Sequence, residues 1–130
     1  MSEAILEALT RLDGVTVVNA ASLEPYLAED TGRLTCLFFS GDPVSKLETA
    51  DVAVVVRELL SQYGESLRVG LIDREDETGL MRACSVFTLP SLAFFQGVQH
   101  LETIPKIQDW SVYAQKTSAL LARVAPQAAE

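Results

Sequence analysis

The chain is poor in the residues that most often carry chemistry. Its 130 residues include two cysteines, Cys36 and Cys84, one histidine, His100, and one tryptophan, Trp110. The cysteines stand 48 positions apart, a spacing that suits neither a CxxC redox pair nor a zinc knuckle. A lone histidine supports neither a metal site nor a catalytic dyad, and an exposed place on a strand is its default. No apolar stretch approaches the roughly 20 residues of a membrane span. The first residues, Met1-Ser2-Glu3-Ala4-Ile5-Leu6-Glu7, lack the basic and long apolar regions of a signal peptide. A cytoplasmic location is therefore expected, with both thiols reduced. Basic residues are scarce as well: ten against eighteen acids, a net charge of −8 and a pI near 4.6. Such a surface repels phosphate backbones and argues against nucleic-acid partners.

What is present is a pattern. The hydrophobic share of 48% and the length suit one domain with its own core, expected over about 2–124 with a short frayed tail from Pro126. Ile5, Leu6, Leu9 and Leu12 have helical spacing, stopped by Asp13-Gly14. Val15–Val18 reads as a short strand, and Ser22 can cap a helix with Glu24 and Pro25 in its first turn and Leu23, Tyr26 and Leu27 buried. Leu34-Thr35-Cys36-Leu37-Phe38-Phe39 is nearly continuous in apolar residues, as in a strand covered on both faces. It breaks at Ser40-Gly41-Asp42-Pro43. Val52, Val55, Val56, Leu59, Leu60 and Tyr63 then mark an amphipathic helix over Ala50–Tyr63, with Thr49 as its expected N-cap and Gly64 as its stop. Gly41–Glu48 reads as a loop.

Leu67–Ile72 is a third strand, followed by the acidic run Asp73–Glu77 and a short helix near Thr78–Cys84. From Leu89-Pro90 an apolar strand leads into Gln96-Gly97, expected as a two-residue hairpin turn, and a second strand returns. Ile104–Ile107 should connect to a last helix capped by Asp109, with Trp110, Tyr113, Thr117, Leu120, Leu121 and Val124 on its inner side. The order is αβαβαβαββα. It predicts an α/β fold, a mixed central β-sheet flanked by helices on both faces.

This order, with the strand Leu34–Phe39, the helix Ala50–Tyr63, the strand ending Leu71-Ile72-Asp73 and the segment Thr88-Leu89-Pro90-Ser91, resembles thioredoxin over about residues 2–124. The thioredoxin-like resemblance implies a cis Leu89–Pro90 bond beside the active-site loop. A thioredoxin places CxxC at the helix N-terminus after its central strand, where one thiol's pKa falls. Ser40–Thr49 occupies that place here and has no cysteine. The buried acid of thioredoxins falls near Leu37, which cannot carry a proton. Dithiol–disulfide exchange by this chain alone is thereby excluded.

Phe39-Ser40-Gly41-Asp42-Pro43, Arg57-Glu58-Leu59-Leu60 and Val86-Phe87-Thr88-Leu89-Pro90-Ser91-Leu92 resemble the hydrogenase expression/formation accessory proteins of the HupG/HyaE type. That resemblance implies a cytoplasmic chaperone acting on the small-subunit precursor of a [NiFe] uptake hydrogenase, which carries a twin-arginine signal peptide. It implies no catalytic residue, metal or cofactor, no membrane insertion, and is compatible with a weak homodimer. A binding lip of Gly41, Asp42, Pro43, Leu89 and Pro90 is expected, holding an extended segment by main-chain hydrogen bonds. Glu48, Asp73, Glu75 and Asp76 are further acids that could attract its arginines. Two other readings stay open. One is a generic thioredoxin-like protein-binding domain; the other is a single-thiol redox protein using Cys36 or Cys84.

Overall fold

The apolar run Leu34–Phe39 (β2) lies at the middle of a five-stranded sheet, with every residue buried. This arrangement comes from a computed structural model, which describes residues 3–129. The elements follow as α1 (Glu3–Leu9), β1 (Val15–Val18), α2 (Leu23–Ala28), β2, α3 (Glu48–Tyr63), β3 (Leu67–Ile72), α4 (Glu77–Met81), β4 (Ser91–Gln96), β5 (Gln99–Pro105) and α5 (Trp110–Ala129). The order is the expected αβαβαβαββα. The sheet runs β1-β3-β2-β4-β5. β1, β3 and β2 are parallel; β4 is antiparallel to β2, and β5 to β4.

Alternation along β2 divides the core. Leu34, Cys36 and Phe38 face one layer with Val52, Val56 and Leu59 of α3, and Tyr113, Leu120 and Val124 of α5. Leu37 and Phe39 face the other, with Tyr26 and Leu27 of α2, Cys84 and Val86. A fully buried Leu or Phe contributes roughly 1.5–3 kcal/mol, so β2 anchors both layers. Gly70 of β3 is needed for close approach. A Cβ there would stand 2.8 Å from Leu37 Cδ2 and 3.0 Å from Tyr26 Cε2.

Several local expectations are corrected. Helix α3 starts at Glu48, and Thr49 is inside its first turn instead of capping it. The Thr49 hydroxyl donates to the Ser40 carbonyl, 2.5 Å away, so a tertiary bond takes the group that a cap would use. Ser22 holds the N-cap position of α2 without a side-chain cap bond. Its hydroxyl serves the preceding turn, accepting from Asn19 N–H at 3.0 Å. The hairpin turn is Gly97-Val98, not Gln96-Gly97, because Gln96 pairs with Gln99 and Gly97 supplies the positive φ of +56° that tight hairpin turns need. Ile104 and Pro105 belong to β5. Tyr113 is fully buried, but Trp110 is 40% exposed at the first turn of α5. His100 is half-buried, its Nε2 2.7 Å from Thr103 Oγ1 and its ring edge-on to Phe95. Helix α5 continues through Pro126 to Ala129, past the expected fraying point. The carbonyl that Pro126 leaves unbonded is that of exposed Ala122, where water can serve it.

Candidate functional site

The chain leaves β2 at Ser40 and enters a loop held from three sides. Thr49 of α3 binds the Ser40 carbonyl. Glu77, the first residue of α4, accepts the Gly41 N–H at 2.9 Å through Oε2. Asp42 turns the chain over Pro43–Ser45: its carbonyl accepts Lys46 N–H at 2.7 Å, and its Oδ1 accepts Val44 N–H at 2.9 Å. Gly41 has φ +74°, and a Cβ added there would stand 3.2 Å from the Leu89 Cβ and 3.1 Å from Lys46 Cγ. Only glycine therefore lets this loop lie against the Leu89 side.

That facing segment enters β4. The Leu89–Pro90 bond is cis. The Pro90 carbonyl accepts Lys106 N–H at 2.7 Å, and the Thr88 carbonyl accepts Ser91 Oγ–H at 2.7 Å. Among the described residues, no main-chain hydrogen bond engages Leu89. A pocket of about 190 Å³ lies here, lined by Leu47, Glu48, Leu89, Pro90 and Lys106 with Ser45 and Lys46. The two loops also present large apolar side chains to water: Val44 is 68%, Leu47 84% and Phe87 78% exposed.

The nine residues expected at the lip separate on this geometry. Gly41, Asp42, Pro43, Leu89 and Pro90 lie on the two facing segments, although Pro43 and Pro90 are themselves buried. Glu48 borders the pocket, where Oε1 accepts Ile107 N–H at 3.1 Å and Oε2 stands 3.9 Å from Lys106 Nζ. Asp73 and Asp76 are turned to other work. Asp73 Oδ1 accepts Glu75 N–H at 3.3 Å, and Asp76 Oδ2 accepts Ala20 N–H at 2.7 Å, tying α4 to the turn after β1. Glu75 is exposed. The Asp42 carboxylate stands 3.9 Å from Arg74. Both acids nearest the lip thus already face a cation, and the local field is weaker than a net charge of −8 suggests.

Glu77 was not singled out by sequence from its four acidic or basic neighbours. It is 2% exposed. Burial pushes its carboxyl pKa up, opposed by the Gly41 N–H, the Arg74 guanidinium and the Ser40 N–H. Arg74 Nε lies 4.0 Å from its Oε1, too far for a hydrogen bond. Sequence reading sees a solvated charge run; only the start of α4 at this residue turns the last acid inward.

The thiols lie apart from the lip and from each other. Cys36 and Cys84 are free, buried, and belong to the core layers on opposite faces of the sheet. Burial pushes both thiol pKa values up, that of Cys84 to about 11. Burial thus disfavours the thiolate form of both. Tyr26 shares a core layer with Leu37; among the described residues its buried hydroxyl has no hydrogen-bond partner, and burial pushes its pKa up to about 12. Among the described residues no group of three or more His, Cys, Asp or Glu is placed to hold a metal ion, and no helix is long and apolar enough to cross a membrane.

Residues 5–113 match the family model of the Hydrogenase-1 expression protein HyaE. The chain is 39% identical over 123 residues to the hydrogenase expression/formation protein HupG of Bradyrhizobium diazoefficiens, spanning 93% of this chain and 82% of that protein. It is 31% identical over 122 residues to the hydrogenase expression/formation protein HoxO of Azotobacter vinelandii, spanning 94% and 80%. Among solved structures, it resembles a Rhodopseudomonas palustris protein assigned as hydrogenase expression/formation protein hupG, with a TM-score of 0.57, 40% identity and coverage of 84% and 96%. A mutant thioredoxin from Halobacterium salinarum aligns with a TM-score of 0.62 at 20% identity, covering 78% and 85%, a likeness of fold.

Proposed function

The chain belongs to the HyaE family of hydrogenase expression/formation proteins, and on that premise we propose that it is a redox-inactive, thioredoxin-like chaperone for maturation of a [NiFe] uptake hydrogenase. It works in the cytoplasm on the small-subunit precursor, or on its twin-arginine signal peptide. The observation that carries this reading is the thiol-free loop Ser40–Leu47, packed against Leu89 where the main chain has bonding capacity to offer. An extended segment laid along Leu89 would gain main-chain hydrogen bonds without any covalent step. Val44, Leu47 and Phe87 would cover its apolar residues.

Asp42 is the acid best placed for an arginine of that segment. Arg74 stands 3.9 Å from it and 4.0 Å from Glu77, so a partner guanidinium would have to replace an exposed, loosely held one. The gain would be in selectivity and encounter rate more than in affinity.

Titration calorimetry with the signal peptide of a hydrogenase small subunit tests the reading. The Arg-Arg peptide should bind more tightly than its Lys-Lys variant, and Asp42→Asn should narrow the difference. Equal binding of the two peptides would remove the twin-arginine specificity. No binding of either peptide or of the precursor would remove the chaperone reading.

A further inference from the structure

β1 closes one side of the sheet, and among the described residues no other strand covers its outer edge. In its parallel register with β3, the carbonyls of Gly14 and Val18 point inward and accept Val69 N–H and Asp73 N–H at 2.8 Å. Alternation along the ladder then turns the main-chain groups of Val15 and Val17 outward. Val15 N–H is taken by the Leu12 carbonyl at 3.3 Å and Asn19 N–H by Ser22 Oγ at 3.0 Å. The Val15 carbonyl and both main-chain groups of Val17 are what the edge offers to a newcomer.

Folded proteins usually blunt such an edge by shortness, a lysine, a proline or an inward charge. Val15-Thr16-Val17-Val18 is short but has no lysine, proline or charge, is β-branched throughout, and leaves Val17 50% exposed. A hollow flanks it on each side. One, of about 340 Å³, lies against α1 and includes Leu6, Thr10, Val17 and Leu71 in its lining. The other, of about 530 Å³, lies against α2 and includes Thr16, Val18, Pro25 and Tyr26. A strand added to β1 would send alternate side chains to opposite faces, and a hollow awaits each set.

Charge decides the occupant. Glu7 and Asp73 line the first hollow; Glu29 lines the second but is already paired with Arg68 at 3.1 Å, so the attraction rests on the first. Arg74, also in the first, is turned toward Asp42 and Glu77. Among the described residues Glu7 and Asp73 form no ion pair, and a second copy of this chain would bring another −8. A basic segment is attracted where a second copy is repelled.

We propose that β1 is a strand-addition edge for an extended basic segment of a partner protein, pairing with Val15 and Val17 and seating alternate apolar side chains in the two hollows. It uses none of Gly41, Asp42, Pro43, Leu89 and Pro90; Asp73, which sequence reading also offered to the lip, lines the first hollow instead.

The test uses the full chain, isotope-labelled for NMR, and a synthetic peptide in which alternating Val and Thr are flanked by Lys-Lys at each end. The peptide should shift the amides of Thr16–Asn19 and slow hydrogen exchange at Val17 N–H. Val17→Pro removes the outward donor without breaking a ladder bond and should weaken binding about tenfold, as expected for one lost hydrogen bond. If that variant fails to fold, Val17→Lys should weaken binding through charge. Combining Glu7→Lys with Asp73→Lys should reduce both affinity and its salt dependence. Shifts confined to other surfaces, unchanged binding by the Val17 variant, or concentration-dependent shifts of β1 amides without peptide would each overturn the proposal; the last would assign the edge to a second copy.

Discussion

Arg68 and Glu77 are buried charges at opposite ends of the sheet, 3% and 2% exposed, and their surroundings differ. The guanidinium of Arg68 donates to Thr35 Oγ1 at 2.7 Å, Glu29 Oε2 at 3.1 Å, and the carbonyls of Tyr26 and Leu27 at 2.7 and 3.3 Å. It also lies 4.0 Å from the centroid of the Tyr26 ring. These bonds satisfy carbonyls in the last turn of α2 and fix that helix to β2 and β3. Glu77 has one strong bond, to Gly41 N–H, and a cation at 4.0 Å. The first end is saturated with hydrogen bonds; the second keeps bonding capacity beside exposed Val44, Leu47 and Phe87. The proposed lip lies at the second end, where a partner can add interactions that the fold has not already made.

The strongest way to break this contrast is to remove each charge. Arg68→Ala should cost the most, because it strands Thr35 and two helix carbonyls at about 1–3 kcal/mol each; urea unfolding measures it, and a loss as small as that of an exposed ion pair would erase the distinction. Glu77→Ala should cost less, about 1–3 kcal/mol, by leaving the Gly41 N–H buried without an acceptor. Glu77→Gln should cost less still, since an amide oxygen can accept the same bond.

A pH series sharpens the comparison further. Burial raises the Glu77 pKa above its ordinary 4.5, so the native state holds this proton to higher pH than the unfolded chain does. Below that ordinary value the group has no effect. As pH rises toward the native pKa the unfolded state deprotonates first and stability falls; above the native pKa the whole decrement is present. Relative to wild type, Glu77→Gln should therefore gain stability as pH is raised from 4.5 to neutrality, measured by parallel urea titrations. A constant difference would mean that Glu77 is not desolvated.

The smallest effect should be at the thiols. With both cysteines buried and Cys84 pushed up to about 11, iodoacetamide at neutral pH should leave native protein unlabelled and react with both after unfolding. Fast native labelling of either cysteine would revive the single-thiol redox reading.

Most of the fold was legible because its signals are local or periodic. The apolar run of β2, the α3 stripe from Val52 to Tyr63 and the Gly97 hairpin each follow from residue order alone. The misplaced details are tertiary. Thr49 has the chemistry of a cap, and only the nearness of the Ser40 carbonyl diverts it. Trp110 fits the α5 stripe, but it lies in the first turn of that helix, where it is partly exposed. At the candidate site, the thioredoxin resemblance led to the expectation that the Gly41–Asp42 loop faces Leu89–Pro90, and Gly41 does lie against Leu89. The Glu77 clasp was not, since nothing in Asp73–Glu77 marks which acid turns inward. Arg68 did leave a signal, a cation within the apolar strand Leu67–Ile72, which on burial requires partners.

Amide shift mapping with the hydrogenase small-subunit signal peptide tests the central claim most directly. The account predicts that saturating peptide moves the amides of Gly41, Asp42 and Leu89 and leaves those of Thr35 and Arg68 in place. Shifts concentrated around Thr35 and Arg68, with the Gly41 and Leu89 amides unmoved, would contradict it.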